Sequence, residues 1–245
     1  MISVSLPWII FEMISRRQFL AATIAAGMST KLLADSGQQG VPQEELSWSV
    51  FKEKMLILAQ TDDEGGLSKQ TMAELATQYL KSLDLHSAEF ADAIEASYET
   101  GNRYWLWQRM VKEKNINGGV LTIDRENLVQ LHDHPGATGV VRIISGEAEV
   151  WQFDVAESGQ RSNDVTELKR VSHRFLKAGD MAVLTPERGN IHALRSVSKQ
   201  CQMLDFFIPP YQNNQRNWYQ PLNADWFDKK KIACKKVSQQ DFMQA

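Results

Sequence analysis

The sequence predicts a mainly β protein, in which an α-helical segment precedes a closed antiparallel barrel or sandwich. After Gly118 and Gly119, short runs rich in Val, Ile and aromatic residues alternate with turn residues about every ten positions. Before these glycines, apolar residues recur at the spacing of a helix face. A chain of 245 residues, 43% of them hydrophobic, is long enough for one sizeable core with a helical appendage.

The helical region is expected to occupy residues 46–117 and to pack on the barrel. Its clearest helix face consists of Met72, Leu75, Tyr79, Leu80 and Leu83. A later helix is indicated by the spacing of Phe90, Ile94 and Tyr98.

The barrel is predicted to span residues 118–245, including a C-terminal extension. The expected strands cover residues 120–123, 140–144, 148–155, 181–184, 191–197 and 202–208. The extension, from residue 213 onwards, carries four large aromatic residues that we expect to pack on the barrel: Trp218, Tyr219, Trp226 and Phe227.

The N-terminal residues 1–34 have the pattern of an export signal. The string Ser15-Arg16-Arg17-Gln18-Phe19-Leu20 precedes a short apolar run, and it resembles the twin-arginine type of signal. The run is too short to span a bilayer, so we expect no stable membrane span in the mature form. We therefore expect export by the twin-arginine machinery, to the periplasm, with residues 35–45 as a linker. The start (Met1 or Met13) and cleavage near Ala34 stay open.

The overall charge argues against nucleic acid as a partner. The chain has 27 Lys and Arg against 30 Asp and Glu, which gives a formal charge of −3. Binding to nucleic acid needs a basic surface, so a small molecule is the expected ligand. The two cysteines, Cys201 and Cys234, leave one disulfide open as an alternative.

Three histidines are the candidate metal ligands. His132 and His134 are two positions apart, and residues with this spacing point to the same face of a strand. His192 follows about sixty residues later, at the start of another predicted strand. Imidazole binds Zn, Cu, Fe and Ni, so the spacing leaves the metal open.

The order of these motifs resembles the two signature blocks of the cupin superfamily. Gly146 follows the first block as it does in cupins, but Gly139 occupies the position of the usual glutamate ligand. Without that carboxylate, three neutral nitrogens would leave a divalent ion with its full charge. Such a site favours an anionic ligand, which can be a thiolate, a carboxylate or hydroxide.

Three strings then point to a narrower family, the thiol dioxygenases of the cysteamine dioxygenase and plant cysteine oxidase type. The strings are His132-Asp133-His134-Pro135-Gly136, Gly189-Asn190-Ile191-His192 and residues 204–211, and the resemblance covers roughly residues 118–212. It implies a cupin double-stranded β-helix, or jelly-roll barrel. It also implies one Fe(II) per chain held by the three histidines, with O2 adding both atoms to a thiol sulfur to give a sulfinic acid. In this resemblance Asp205 and Tyr211 are the catalytic residues.

Two alternatives stay open from the sequence: a cupin hydrolase or isomerase that uses Zn, Mn or Ni, and a non-catalytic cupin that binds a ligand. The thiol is also open between cysteine, cysteamine, a mercapto acid and an N-terminal cysteine. No arginine can be assigned to a substrate carboxylate, which slightly disfavours a mercapto acid. Ala137 stands where the family usually has Met, which predicts a reshaped pocket. Arg142 stands where the family usually has Lys, and we expect it to be a cation that stabilises the barrel.

Overall fold

Two six-stranded antiparallel sheets enclose a common interior in the computed structural model of the protein. The structure describes residues 44–63, 66–101, 105–113, 115–162, 165–208 and 216–238. The first sheet has the strand order β1-β2-β3-β10-β5-β8, and the second closes on itself in the order β11-β12-β7-β6-β9-β4. This is the double-stranded β-helix of the cupin fold, preceded by a short helical segment, as predicted.

The helices are α1 (Trp48–Asp63), α2 (Lys69–Ser82) and α3 (Ala88–Glu95). The first six strands are β1 (Tyr98–Gly101), β2 (Trp105–Glu113), β3 (Ile116–Asp124), β4 (Leu128–His132), β5 (Thr138–Ser145) and β6 (Glu147–Ser162). The remaining strands are β7 (Val165–Lys177), β8 (Met181–Leu184), β9 (Ile191–Ser196), β10 (Gln200–Ile208), β11 (Trp218–Pro221) and β12 (Lys231–Val237). A short 3-10 helix, Trp226–Asp228, lies between the last two strands.

The predicted helical region is too long, and its boundary at residue 117 is wrong. The last helix ends at Glu95, and Tyr98, which was assigned to a helix face, begins β1 instead. Residues 105–113 form β2, in which Trp105, Trp107 and Arg109 pair with alternate inward-facing residues of β3. The period of two along this stretch places it in the barrel.

The helices bury their apolar side chains against the outer face of the first sheet. Phe51 of α1 meets Phe206 of β10 edge-on, with ring centroids 5.0 Å apart. Gly118 of β3 makes room for that ring, because a Cβ at this position would lie 2.1 Å from a ring carbon of Phe206. A core of aromatic and aliphatic residues therefore joins the helical segment to the barrel.

Arg142 of β5 connects the sheet to the end of α2. Its Nη1 donates hydrogen bonds to the backbone carbonyls of Leu80, at 2.8 Å, and Leu83, at 3.2 Å. The last carbonyls of a helix have no partner within the helix and carry partial negative charge, so a cation is favourable there. This contact gives the expected stabilising cation a specific role.

The two cysteines do not form a disulfide. Both are free and buried, and they belong to different hydrophobic clusters. Burial raises the pKa of each thiol to about 12, which makes both poor nucleophiles at neutral pH.

The structure describes the C-terminal extension, whereas most of the N-terminal 45 residues lie outside the described part of the chain. The C-terminal aromatic residues do pack on the barrel, and residues 218–221 and 231–237 are themselves strands of the second sheet. The predicted signal (1–34) lies outside the described residues, as does the linker except for its last two residues, 44 and 45. No helix in the described ranges is both long and apolar enough to cross a membrane.

Replacing Arg142 tests whether the contact with α2 stabilises the fold. Arg142→Gln removes the charged donor from two carbonyls, and we expect the free energy of unfolding to fall by about 1.5–3 kcal/mol. Lys81→Gln is the matched control, because it removes an exposed charge from the last turn of the same helix. Denaturant unfolding of the two variants measures the difference; equal small effects would mean that the contact contributes nothing.

Candidate metal centre

Three imidazole rings converge inside the barrel. The Nε2 atom of His192 lies 3.0 Å from Nε2 of His132 and 3.0 Å from Nε2 of His134. All three side chains are buried, and the possible ligand atoms of the group lie within 4.8 Å of one another. The structure therefore brings together the three residues that the sequence proposed as ligands.

The hydrogen bond of His132 fixes which of its nitrogens can bind a metal. Its Nδ1 lies 2.7 Å from the backbone carbonyl of Gln130, and a carbonyl oxygen can only accept a hydrogen bond. Nδ1 therefore carries the proton, and Nε2 presents its lone pair to the centre. A backbone carbonyl thus orients this ring, in the way that outer groups orient the ligands of a metal.

Burial keeps the three rings neutral. It lowers the pKa of His132 and His134 well below the usual value and that of His192 to about 3, and the positive charge of Arg216 lowers all three further. Imidazole binds metals only in its neutral form. At neutral pH the site is therefore already in the protonation state that a metal requires.

The strand pairing places two of the ligands, and a turn places the third. His132 ends β4 and pairs directly with His192, the second residue of β9. His134 lies beyond the end of β4, so strand alternation does not place it, in contrast to the expectation from its spacing. Its ring stacks on Phe207 instead, with ring centroids 3.9 Å apart and planes inclined by 12°.

Asn190 holds the turn after β4 against the start of β9. Its Oδ1 accepts a hydrogen bond from the backbone N–H of His134 at 2.9 Å, and its Nδ2 donates to the carbonyl of His134 at 3.1 Å. The same amide lies 3.2 Å from the carbonyl of Thr185 and 3.4 Å from that of Ala137. One side chain therefore joins the two histidine motifs, which explains why an asparagine stands two residues before His192.

Asp133 holds the same segment from the other side. Its carboxylate accepts hydrogen bonds from the backbone N–H of Asn217 at 2.7 Å, from Asn217 Nδ2 at 2.6 Å and from the Tyr219 hydroxyl at 2.9 Å. Burial, followed by the effect of this carboxylate, raises the pKa of Tyr219, so the phenol stays protonated as a donor. The residue between the two ligands thus anchors β11, a role that its position in the motif does not reveal.

Phe207 occupies the space that a glutamate at position 139 would need. Gly139 pairs with Phe207 on one side and with Leu184 on the other. A Cβ on Gly139 would lie 2.7 Å from the Phe207 ring and 2.8 Å from Leu184. Ala137 packs in the same small cluster, so the volume left by the missing Met is filled rather than open. Among the described residues, the site therefore has no carboxylate ligand.

A cavity of about 250 Å³ lies beside the histidines. It is lined by Thr100, Trp105, Trp107, Arg109, Asn117, Leu121, Val129, His132, His192, Leu194, Asp205, Phe207 and Arg216. Three aromatic rings and three aliphatic side chains thus line the cavity together with seven polar side chains, a mixture that suits a small polar molecule.

Asp205 of β10 lies in this cavity wall, whereas Tyr211 lies outside the described residues. The Asp205 side chain is buried, and its Oδ1 has no hydrogen-bond partner among the residues that the structure describes. Burial raises the pKa of Asp205 to about 8, although the charge of Arg216 opposes the shift. Asp205 does not orient the His132 ring, because Nδ1 of His132 donates its hydrogen bond to the backbone carbonyl of Gln130.

Two arginines in the cavity wall were missed by the sequence interpretation. Arg109 comes from β2, a strand that was expected to be helical, and Arg216 follows directly on residues that are not described. The alternation Trp105, Trp107, Arg109 is the signal that identifies Arg109, once the stretch is recognised as a strand.

The donor set fits one metal ion. Two ligands in adjacent octahedral positions, each about 2.1 Å from an ion, lie about 3.0 Å apart, which matches the spacing of the Nε2 atoms. No carboxylate of the described chain joins the three histidines in this group. His132, His134 and His192 are therefore suited to hold a divalent ion with open positions towards the cavity.

Comparison with known proteins identifies the family. Residues 79–244 match the family PCO_ADO. The chain belongs to this family. The PCO_ADO assignment agrees with the resemblance found in the histidine motifs.

Among curated relatives, the chain is 27% identical over 124 residues to 2-aminoethanethiol dioxygenase of Mus musculus, covering 43% of this chain and 48% of that protein. It is 26% identical over 98 residues to plant cysteine oxidase 1 of Arabidopsis thaliana, covering 39% and 33%. The PCO_ADO chain thus spans about half or less of the length of these relatives. A Klebsiella pneumoniae protein with a double-stranded β-helix domain aligns with a TM-score of 0.37 and 18% identity, over 50% of this chain and 90% of that chain.

A double-mutant cycle tests whether Phe207 fills the position of the missing carboxylate. We expect Gly139→Ala to lower the free energy of unfolding by about 1–3 kcal/mol, because the new methyl group overlaps Phe207 and Leu184. In a Phe207→Ala background the loss should shrink to under about 1 kcal/mol, since Leu184 can shift into the vacated volume. Equal losses in both backgrounds would contradict this packing.

Proposed function

We propose that the protein is an Fe(II)-dependent thiol dioxygenase that adds both atoms of O2 to the sulfur of a small thiol or an N-terminal cysteine. The observation that carries the proposal is the convergence of three neutral histidines, joined by no carboxylate of the described residues, beside a small cavity that two of them, His132 and His192, line. Membership of PCO_ADO and the similarity to a 2-aminoethanethiol dioxygenase and a plant cysteine oxidase support it.

The ligand set accounts for the preference for a thiol. Three neutral nitrogens leave the charge of a divalent ion uncompensated, so an anion is favoured next to them. A thiol that binds as thiolate supplies this anion, because proximity to a cation lowers its pKa. When bound there, Fe(II) would hold thiolate and O2 at neighbouring positions, which removes much of the entropic barrier to their reaction.

The reaction is balanced without a further reductant. The thiol RSH and one O2 give the sulfinic acid RSO2H, and the sulfur supplies all four electrons. Two S–O bonds form while the O–O bond breaks.

Residues of the cavity wall exclude water from the substrate and can donate a hydrogen bond to it. The aromatic wall of Trp105, Trp107 and Phe207 limits the access of water to the sulfur. Asp205 is mostly protonated at neutral pH, and its unpartnered oxygen is available for a hydrogen bond to substrate in the same cavity. Tyr211 stays a predicted catalytic residue on the basis of the motif alone.

Reconstitution with a single metal tests the proposal. Protein folded with Fe(II) is expected to consume one O2 per thiol and to give a product 32 mass units heavier than the substrate, which is about the mass of two oxygen atoms. An oxygen electrode and mass spectrometry measure the two quantities. His192→Ala should abolish both iron retention and O2 uptake, whereas His86→Ala, which removes an exposed histidine, should change neither.

Other outcomes would favour the alternative functions. Stoichiometric Zn in protein folded in the cytoplasm, with no thiol-dependent O2 uptake after loading with Fe(II), would contradict the dioxygenase proposal. Hydrolysis or isomerisation with Zn, Mn or Ni would then be the first activities to test. Ligand binding without turnover would indicate a non-catalytic cupin.

We further propose that the protein reaches the periplasm by the twin-arginine route. This route carries folded proteins, and Cu and Zn compete strongly with Fe(II) for nitrogen ligands, so loading before export would protect the site. Replacing Arg16 and Arg17 by lysine should keep the protein in the cytoplasm, as measured by cell fractionation. Lys31→Gln changes a charge outside the pair and should leave export intact; unchanged export of the arginine variant would refute the proposal.

A further inference from the structure

The guanidinium of Arg109 has no partner among the described residues of the cavity that it lines. Its Nε is buried without a hydrogen bond, and the described residues give the side chain no ion pair. A guanidinium presents five N–H donors, and leaving such a charge partly buried and unpaired is unfavourable. An anionic ligand in the cavity would satisfy these donors.

Arg109 shares the cavity with the metal ligands and with Asp205. Gly119 of β3 pairs with Arg109 on one side and with Asp205 on the other, so the three residues form one row across β2, β3 and β10. Two strand spacings place the Cα atoms of Arg109 and Asp205 about 10 Å apart. Gly119 allows the close approach of β2, because a Cβ at this position would lie 2.1 Å from the backbone oxygen of Gln108. Arg109 and Asp205 both line the same cavity, so one small ligand can reach both side chains.

The charges of the cavity wall favour a ligand that carries a second negative group in addition to the thiolate. Arg109 and Arg216 contribute two cations, and Asp205 is the one acidic side chain among the described lining residues. Asn117 adds a buried Oδ1 to which no described residue donates a hydrogen bond, and this atom can accept one from an N–H group of a ligand. A volume of about 250 Å³ limits the ligand to a small molecule.

We propose that the substrate is a small thiol that also carries a carboxylate, such as free cysteine, and that Arg109 binds this carboxylate. The planar fork of a guanidinium matches the two oxygens of a carboxylate, while the thiol lies at the three histidines. The proposal rests on the thiol dioxygenase function above. It corrects the expectation that no arginine is available for a carboxylate, and it disfavours cysteamine and an N-terminal cysteine, which lack the acid next to the thiol.

Two matched pairs of thiols test the proposal. Cysteine and its methyl ester differ in the negative charge, and 3-mercaptopropionate and cysteamine exchange a carboxylate for an amine. For the wild-type protein loaded with Fe(II), kcat/KM should be about 10- to 100-fold higher for the carboxylated member of each pair, the ratio that one charged hydrogen bond supports. Similar values within each pair would overturn the proposal.

Variants of Arg109 show whether this residue makes the selection. Arg109→Gln should lower the ratio of kcat/KM for cysteine to that for the methyl ester by the same factor, mainly through KM for cysteine. Arg109→Lys keeps the charge but loses the planar guanidinium. Its ratio of kcat/KM for cysteine to that for the methyl ester should lie between the wild-type ratio and that of Arg109→Gln. Lys112→Gln, which removes an exposed charge from the same strand, should keep the wild-type ratio. A uniform loss for all thiols in Arg109→Gln would also refute the proposal.

Anaerobic calorimetry separates a failure of this inference from a failure of the proposed function. If no thiol consumes O2, the dioxygenase function is wrong, yet binding of 3-mercaptopropionate to the Fe(II)-loaded protein still reports on Arg109. We expect its Kd to rise about 10- to 100-fold in Arg109→Gln, with cysteamine as the comparison ligand. An unchanged Kd would mean that Arg109 does not bind the carboxylate.

Discussion

The segment between β4 and β5 is held by two polar side chains, and the metal centre depends on both. Asn190 bonds the backbone of His134 from β9, while Asp133 takes three donors from Asn217 and Tyr219 of the neighbouring strand region. These bonds lie within the barrel wall, where unpaired polar groups would be costly. They fix a turn that strand geometry alone would leave free, and so they place the third imidazole beside the other two.

The three imidazole rings are neutral because burial removes the water that would stabilise a positive charge on them. A protonated imidazole would be unfavourable here, since burial and the charge of Arg216 both lower the pKa of each ring. Asp205 responds to burial in the opposite direction, because a carboxyl group is neutral when protonated. Burial thus keeps the three histidines deprotonated, as metal binding requires, and keeps Asp205 protonated.

The sequence predicted the barrel, the three histidines and the position of Asp205, because each depends on a local pattern or on a short motif. The six expected strands all overlap observed ones, but β1, β2, β4, β7, β11 and β12 were missed. In β2 the inward residues are Trp105, Trp107 and Arg109, and their alternation was overlooked because the stretch was assigned to the helical region. The roles of Asn190 and Asp133 depend on partners that are distant in the sequence, which no local pattern contains.

The replacement of a carboxylate by an aromatic ring links the packing of the barrel to its chemistry. Phe207 fills the space over Gly139 and stacks on His134. The same ring therefore leaves no room for a carboxylate metal ligand at position 139 and orients the neutral imidazole of His134. A glutamate there would neutralise part of the charge of a bound ion and weaken its attraction for an anionic substrate. With Phe207 in its place, the charge of a bound divalent ion would stay uncompensated, and the arginines on the cavity wall add further positive charge. Packing at one glycine therefore determines which kind of ligand the whole cavity favours.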